Sequence, residues 1–262
     1  MDLPRSLVEV QQSWVDVFAV LLDGSVVTWG DARYGADRTA VQDQLRNVCQ
    51  VHSSQRAFAA IRSDGTVVTW GSPHCGGDST SVQAQLQDIM EVRASGDPFG
   101  GAFAALARDG SVVTWGCAGR GGDSAAVQMQ LRGVRQICAA GAAFAAILVD
   151  GSVVTWGHPG TGGDSAHVQA KLKDVQLIEA SHKAFAALLR DGSVITWGRE
   201  DSGGDCSGVA GELRSVQQTL GLSTFFCVHG SNSRQNVEVH FKVSKSPYGW
   251  LSKLGSLFGS LL

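Results

Sequence analysis

Nucleophilic, basic and metal-ligating side chains are common in this chain: the sequence holds 7 His and 6 Cys. His52, His74, His158, His167, His182, His229 and His240 share no position in any recurring unit and form no metal-ligand spacing. Cys49, Cys75, Cys117, Cys138, Cys206 and Cys227 make no Cys-x-x-Cys. They read as free thiols of a reducing compartment, not as disulfides or zinc ligands. Asp and Ser recur in step with a repeat, so a structural role accounts for them and a hydrolytic triad is not expected. The tripeptide Gly-Gly-Asp could offer a carboxylate to calcium. One copy per 41 residues cannot build a stacked ligand ladder. We expect no catalytic residue, no metal and no cofactor.

The elements that position these side chains are repeats. Thr-Trp-Gly ends at Gly30, Gly71, Gly116, Gly157 and Gly198, and Trp29, Trp70, Trp115, Trp156 and Trp197 are spaced by 41, 45, 41 and 41 residues. Such an array is built from a unit that cannot bury its own apolar surface and must stack on its neighbours. The tryptophans are therefore expected to pack between units and not to stack on a ligand. Each is preceded by Asp-Gly between two β-prone runs, with the glycines at Gly24, Gly65, Gly110, Gly151 and Gly192. That dipeptide predicts five hairpins with type I′ turns.

After each Trp-Gly come four variable residues, then Gly-Gly-Asp, or Gly35-Ala36-Asp37 in the first copy. A segment such as Val127-Gln128-Met129-Gln130-Leu131 follows. Its spacing favours one to two helical turns capped by Asp123 or Ser124, although its alternation also fits a strand. Each unit is then three short strands plus a connection, which predicts an all-β fold with short connecting helices. The units run approximately 7–47, 48–88, 89–133, 134–174 and 175–215, with a decayed sixth unit at 216–246 that lacks Trp-Gly and Asp-Gly. Val17 stands where the other units carry phenylalanine. The four-residue excess of the third unit falls in Ser95 to Gly101.

Residues 247–262 form a different segment. Trp250, Leu251, Leu254, Leu257, Phe258, Leu261 and Leu262 make one helical stripe. Fourteen residues of helix reach about 21 Å, too short to cross a bilayer. The segment is basic and fits either a terminal cap or an interfacial membrane anchor. The edge of the decayed unit favours the cap. The net charge of −3, without long charge runs, argues against nucleic acid as a partner. The amino terminus shows no apolar signal region, so an intracellular, cytoplasmic or nuclear, location is expected.

The pattern Phe-x-Ala-x-x-x-Asp-Gly-x-Val-x-x-Trp-Gly-x4-Gly, followed by Val-x-x-x-Leu and Val-x-x-Ile-x-Ala, resembles the regulator of chromosome condensation repeat. The 41-residue period is similar to the short-repeat branch that includes the β-lactamase inhibitor protein II propellers. The resemblance covers about residues 7–219 and implies a β-propeller. About six three-stranded blades, closed or as an open arc, fit this length. It implies a non-enzymatic protein-protein interaction scaffold. Guanine-nucleotide exchange on a small GTPase is the alternative, as is a regulatory repeat region related to HECT-type ubiquitin ligases, for whose catalytic domain the remaining residues leave no room.

Residues that vary among near-identical units are free to make contacts. The turn between strands one and two should share a rim with the loop after Trp-Gly, opposite the Asp-Gly hairpins. That rim would carry Trp14, Tyr34, Gln55, Arg56, His74, Pro98, Phe99, Arg120, His158, His182, Lys183, Arg199 and Glu200. Aromatic and arginine side chains on loops anchor protein interfaces, so this rim is the expected partner-binding surface.

Overall fold

Fifteen strands in five antiparallel sheets make up the computed structural model, which describes residues 7–12, 18–22, 24–209 and 213. Trp14, the decayed sixth unit and the C-terminal amphipathic segment lie outside the described residues. Blade 1 is β1 (Leu7–Gln12), β2 (Phe18–Leu22) and β3 (Ser25–Trp29). Blade 2 is β4 (Val48–Ser53), β5 (Ala57–Arg62) and β6 (Val67–Gly71). Blade 3 is β7 (Ile89–Asp97), β8 (Gly100–Ala107) and β9 (Val112–Gly116). Blade 4 is β10 (Val134–Ala139), β11 (Ala143–Leu148) and β12 (Val153–Gly157), and blade 5 is β13 (Val175–Ala180), β14 (Ala184–Leu189) and β15 (Val194–Gly198). First strands of successive blades touch one another, so they form the inner edge and the third strands the outer one. The five described sheets do not close into a ring.

The middle strands explain why a unit cannot fold alone. Ala-Phe-Ala-Ala-Ile at 57–61 is buried throughout, because one face meets the preceding blade and the other the following one. Ala59 joins the core shared with Phe103 and Trp115, whereas Phe58 and Ala60 join the core shared with Val26 and Leu45. Four such cores lie in the four gaps between the five blades. Alanine at the strand centre lets the sheets approach. The aromatic rings then fill the gap.

One joint repeats in every gap. Trp70 stacks on Phe58 of its own blade, at 5.3 Å between ring centroids, and its Nε1 donates to Gly35 O of the blade before, at 3.0 Å. Trp115, Trp156 and Trp197 do the same toward Gly76, Gly121 and Gly162. The opposite rim carries a backbone staple: Ile89 N donates to Gly65 O and Arg108 N donates to Asp88 O, both at 2.9 Å.

Three sequence expectations are corrected. The Asp-Gly hairpins of blades 2 to 5 have three-residue loops rather than two-residue type I′ turns. Arg62 N donates to Thr66 O across Ser63-Asp64-Gly65, and among these loop residues only the glycine has positive φ. This is a type I turn followed by a left-handed glycine. Asp64 Oδ1 accepts from Thr66 N at 3.0 Å and takes the role that a second positive-φ residue would have had. In blade 1 the hairpin is one residue shorter, with Leu22 paired to Ser25, so Phe18 and not Val17 lies opposite Trp29. The segment after Gly-Gly-Asp makes single 3₁₀ turns, such as Gln83–Gln85 and Gln169–Lys171, six residues of 3₁₀ helix at Thr39–Gln44, and hydrogen-bonded turns without a helix at 125–130. The turn stops because Leu86 and Leu172 must leave it to plug the core. Asp123 accepts from Ala125 N as an Asx turn, and Ser124 donates instead to Gln128 Oε1.

That glutamine has a task of its own. Gln83, Gln128 and Gln169 each donate Nε2 to the first carbonyl of the outer strand, at Val67, Val112 and Val153. A side chain thus satisfies backbone on an exposed sheet edge.

Candidate partner-binding rim

The rim frame is fixed by backbone and serine. Ser54 Oγ donates to Cys75 O at 2.7 Å, Ser95 Oγ to Arg120 O at 2.7 Å and Ser181 Oγ to Ser202 O at 2.9 Å. Ser72 N, Cys117 N, His158 N and Arg199 N donate to Arg56, Gly101, Ala142 and Lys183 carbonyls respectively. The strand-one-to-two turn of each of blades 2 to 5 is therefore bonded to its own post-Trp-Gly loop. The residues between these bonds vary from blade to blade on a constant support.

Two aromatic-arginine groups stand on this frame. The Arg56 guanidinium lies 4.7 Å from the Tyr34 ring centroid, joining blade 2 to blade 1. Arg33 approaches the same ring at 5.3 Å and pairs with Asp31 at 2.6 Å. In blade 3 the four-residue insertion lengthens β7 and β8 into a hairpin whose tip is Pro98-Phe99. Asp97 pairs with Arg120 Nε at 2.9 Å, both side chains being less than a fifth exposed at 15% and 17%. Asp97 also accepts from Phe99 N at 2.9 Å. Arg120 lies 5.6 Å from the Phe99 ring centroid. Phe99 itself is 82% exposed. Phe99 thus presents an exposed ring from a hairpin tip held by a partly buried ion pair.

His74, Pro98, His158, His182, Arg199 and Glu200 are exposed on the same loops. Tyr34, Arg56, Arg120 and Lys183 are half-buried. Gln55 is corrected: it is only 5% exposed. The lengthened third hairpin covers it, and a Cβ on Gly96 would come within 2.9 Å of Gln55 N. Asp31, Arg33, Asp97 and Asp201 belong to the rim although sequence reasoning passed over them. Each sits in the variable stretches, and Asp201 pairs with Arg199 at 2.8 Å.

A second variable group lines the inner edge. The fifth residue of each first strand is Gln11, His52, Arg93, Cys138 and Glu179, one repeat slot with five different side chains. Glu91 pairs with Arg93 beside it. Burial, with a smaller contribution from Arg93, holds His52 down to about 4 and therefore neutral. Burial pushes the Cys138 thiol up to about 12. Burial likewise raises Glu179 from 4.5 to about 7, against the pull of Arg93. Alignment of the repeats on the tryptophans, with the insertion removed, would have exposed this slot. Among the described residues no three His, Cys, Asp or Glu are placed to hold a metal ion, and no helix is long and apolar enough to cross a membrane.

These shifts fix a pH dependence. Glu179 binds its proton more tightly when folded, so its contribution is present below pH 4.5 and lost as pH rises through 7. His52 runs the other way, its contribution being present above pH 6.5 and lost as pH falls through 4. Glu179→Gln should thus gain stability relative to the parent as pH rises from 4.5 to 7, by ~1–2 kcal/mol after screening by solvent. Chemical denaturation at a series of pH values measures this; parallel profiles would contradict it.

No protein-family profile matches this sequence, and no curated protein sequence matches it. Solved structures do. Human WBSCR16 aligns at 19% identity and a TM-score of 0.49, covering 83% of this chain and 68% of that one. Prp20p from Saccharomyces cerevisiae aligns at 17% identity and a TM-score of 0.51, covering 75% of this chain. The chain thus spans 58% of the length of Prp20p. Prp20p is the yeast protein of the regulator of chromosome condensation type, and five three-stranded sheets in succession give this chain the β-propeller fold of Prp20p.

Proposed function

We propose that this chain is a non-enzymatic propeller that binds another protein through the variable rim. The exposed Phe99, on a hairpin braced by Asp97 and Arg120, carries the reading. It supplies a rigid apolar anchor, and the Tyr34–Arg56 stack supplies a flat cationic one, both typical of interface centres. Neighbouring contacts would exclude water around them. Replacing the exposed Phe99 with alanine should sharply weaken capture of the partner while circular dichroism and melting stay close to the parent. Unchanged capture by a folded variant would remove the rim from the account.

Exchange of guanine nucleotide on a small GTPase is the second reading. It is supported by the likeness to Prp20p, whose structure is described together with binding to Gsp1p and histones. Nucleotide release from a panel of small GTPases tests it, and no acceleration by this chain would remove it.

A further inference from the structure

We propose that Arg56 is the receptor for one carboxylate side chain of the protein partner, which meets this rim with an aspartate or glutamate beside the apolar surface that covers Phe99. This rests on the rim being the binding surface. Of the rim arginines Arg33, Arg56, Arg120 and Arg199, all but Arg56 hold an aspartate. Asp31 accepts from both Nε and Nη2 of Arg33, Asp97 pairs with Arg120, and Asp201 pairs with Arg199. Among the described residues no acid pairs with Arg56, and its Nε is buried with no hydrogen-bond acceptor. Its guanidinium is laid over the Tyr34 ring at 4.7 Å, a contact that orients the group and leaves its charge unmatched. Cys75, close enough to feel Arg56, supplies no counter-charge. Burial raises its thiol, against the pull of Arg56, and keeps it neutral.

The surroundings narrow the ligand. Arg56 O accepts from Ser72 N at 2.8 Å, so the backbone beneath the side chain is fixed. The long hairpin of blade 3 packs against the two residues before it. A Cβ on Gly101 would lie 2.8 Å from Ser54 Cβ, and one on Gly96 would lie 2.9 Å from Gln55 N. Arg56 and the hairpin that carries Phe99 therefore flank one seam between blades 2 and 3. On the Phe99 side the charges are matched, since Arg120 beside the ring is held by Asp97. On the Arg56 side a positive charge stands unmatched. One planar guanidinium on an aromatic support suits a single carboxylate, bound through its terminal nitrogens. A phosphate fits less well, because its near-double charge calls for a cluster of cations. The second cation at the Tyr34 ring, Arg33, already has its fork occupied by Asp31.

Nuclear magnetic resonance of the parent chain reads this without the partner. The Hε of Arg56 is shielded from water by burial, and those of Arg33, Arg120 and Arg199 are held by carboxylates, so the four Nε–Hε signals can be followed together. Arg56→Gln assigns its signal by loss. The probe is the capped peptide acetyl-Ala-Glu-Ala-amide. The neutral control is acetyl-Ala-Gln-Ala-amide, and inorganic phosphate is the competing anion, all at one ionic strength. The expected result is a saturable shift of the Arg56 signal with the glutamate peptide, none with the glutamine peptide, and weaker saturation with phosphate. The other three arginine signals should stay in place. A silent Arg56 signal, an equal shift at all four arginines, a response to the glutamine peptide, or phosphate saturating as tightly as the glutamate peptide would each overturn the proposal. Capture of the protein partner by Phe99→Ala separates this from the rim itself. Capture lost in that variant, with Arg56 silent in the parent, overturns the carboxylate receptor and leaves the rim standing.

Discussion

Trp156→Ala is expected to destabilise the array by ~3–5 kcal/mol, the range for removing a large aromatic side chain from a packed core. Trp156 is buried in the gap between blades 3 and 4, stacks on Phe144 at 5.3 Å and donates to Gly121 O at 3.1 Å. Its loss opens a cavity between two sheets and strands a carbonyl. Each blade is held only by its neighbours, so the damage should weaken both sides of the gap. Trp156→Phe should recover most of the packing and lose the hydrogen bond, at ~1 kcal/mol. The corresponding change at Trp29, which is half exposed, should cost under ~1.5 kcal/mol in the monomer. Urea denaturation of the three variants checks the order. Equal losses at Trp29 and Trp156 would mean that the indole does not act through the blade joint.

The second large effect separates two adjacent glycines. Gly121 has φ of +90°, and an added Cβ would lie 2.5 Å from a Phe144 ring carbon. Left-handed backbone costs an alanine ~1–2 kcal/mol. Overpacking against the next blade adds ~1–3 kcal/mol. Gly121→Ala should therefore lose ~2–5 kcal/mol by the sum of these two costs. Gly122 looks equally tight, since a Cβ there would meet Gly116 O at 2.5 Å. Yet blade 1 carries Ala36 at this slot, and there Gly30 has opened to φ 123° from the 99° of Gly116. Backbone can give way at the second position and a buried phenylalanine cannot give way at the first. Gly122→Ala should cost no more than ~1 kcal/mol, the scale of modest backbone strain. Thermal melts of both variants are the measurement, and a larger loss at Gly122 would contradict this ranking.

Sequence periodicity made the architecture legible. A constant tryptophan spacing sets the unit, and alternating hydrophobicity around Asp-Gly sets its hairpins. The side on which the turns and loops meet followed from strand direction alone, and the Ser54, Ser95 and Ser181 bonds join them there. What escaped was detail that depends on a third element. The hairpin turn type was misread because Asp-Gly fits two loop lengths, and only the pairing of Ile61 with Val67 shows which is used. Gln55 looked like a loop side chain because nothing local marks the neighbouring hairpin that covers it. The slot of His52, Arg93, Cys138 and Glu179 was hidden by the four-residue insertion, which shifts the count between blades 2 and 3. Gln83, Gln128 and Gln169 recur visibly, but their bond to an outer-strand carbonyl needs the fold to be seen.

Placement of the partner on the rim is the claim on which the functional account stands. It is tested most directly by photo-crosslinking from two exposed positions on opposite sides of the propeller. One photoreactive residue replaces Phe99 at the tip of the long hairpin, and the other replaces Val149 beside the Asp150-Gly151 turn, which is 76% exposed. Mass spectrometry of the crosslinked products should find partner peptides joined to position 99 and none joined to position 149. Partner peptides at position 149 alone, or equally at both, would contradict the assignment of function to this rim.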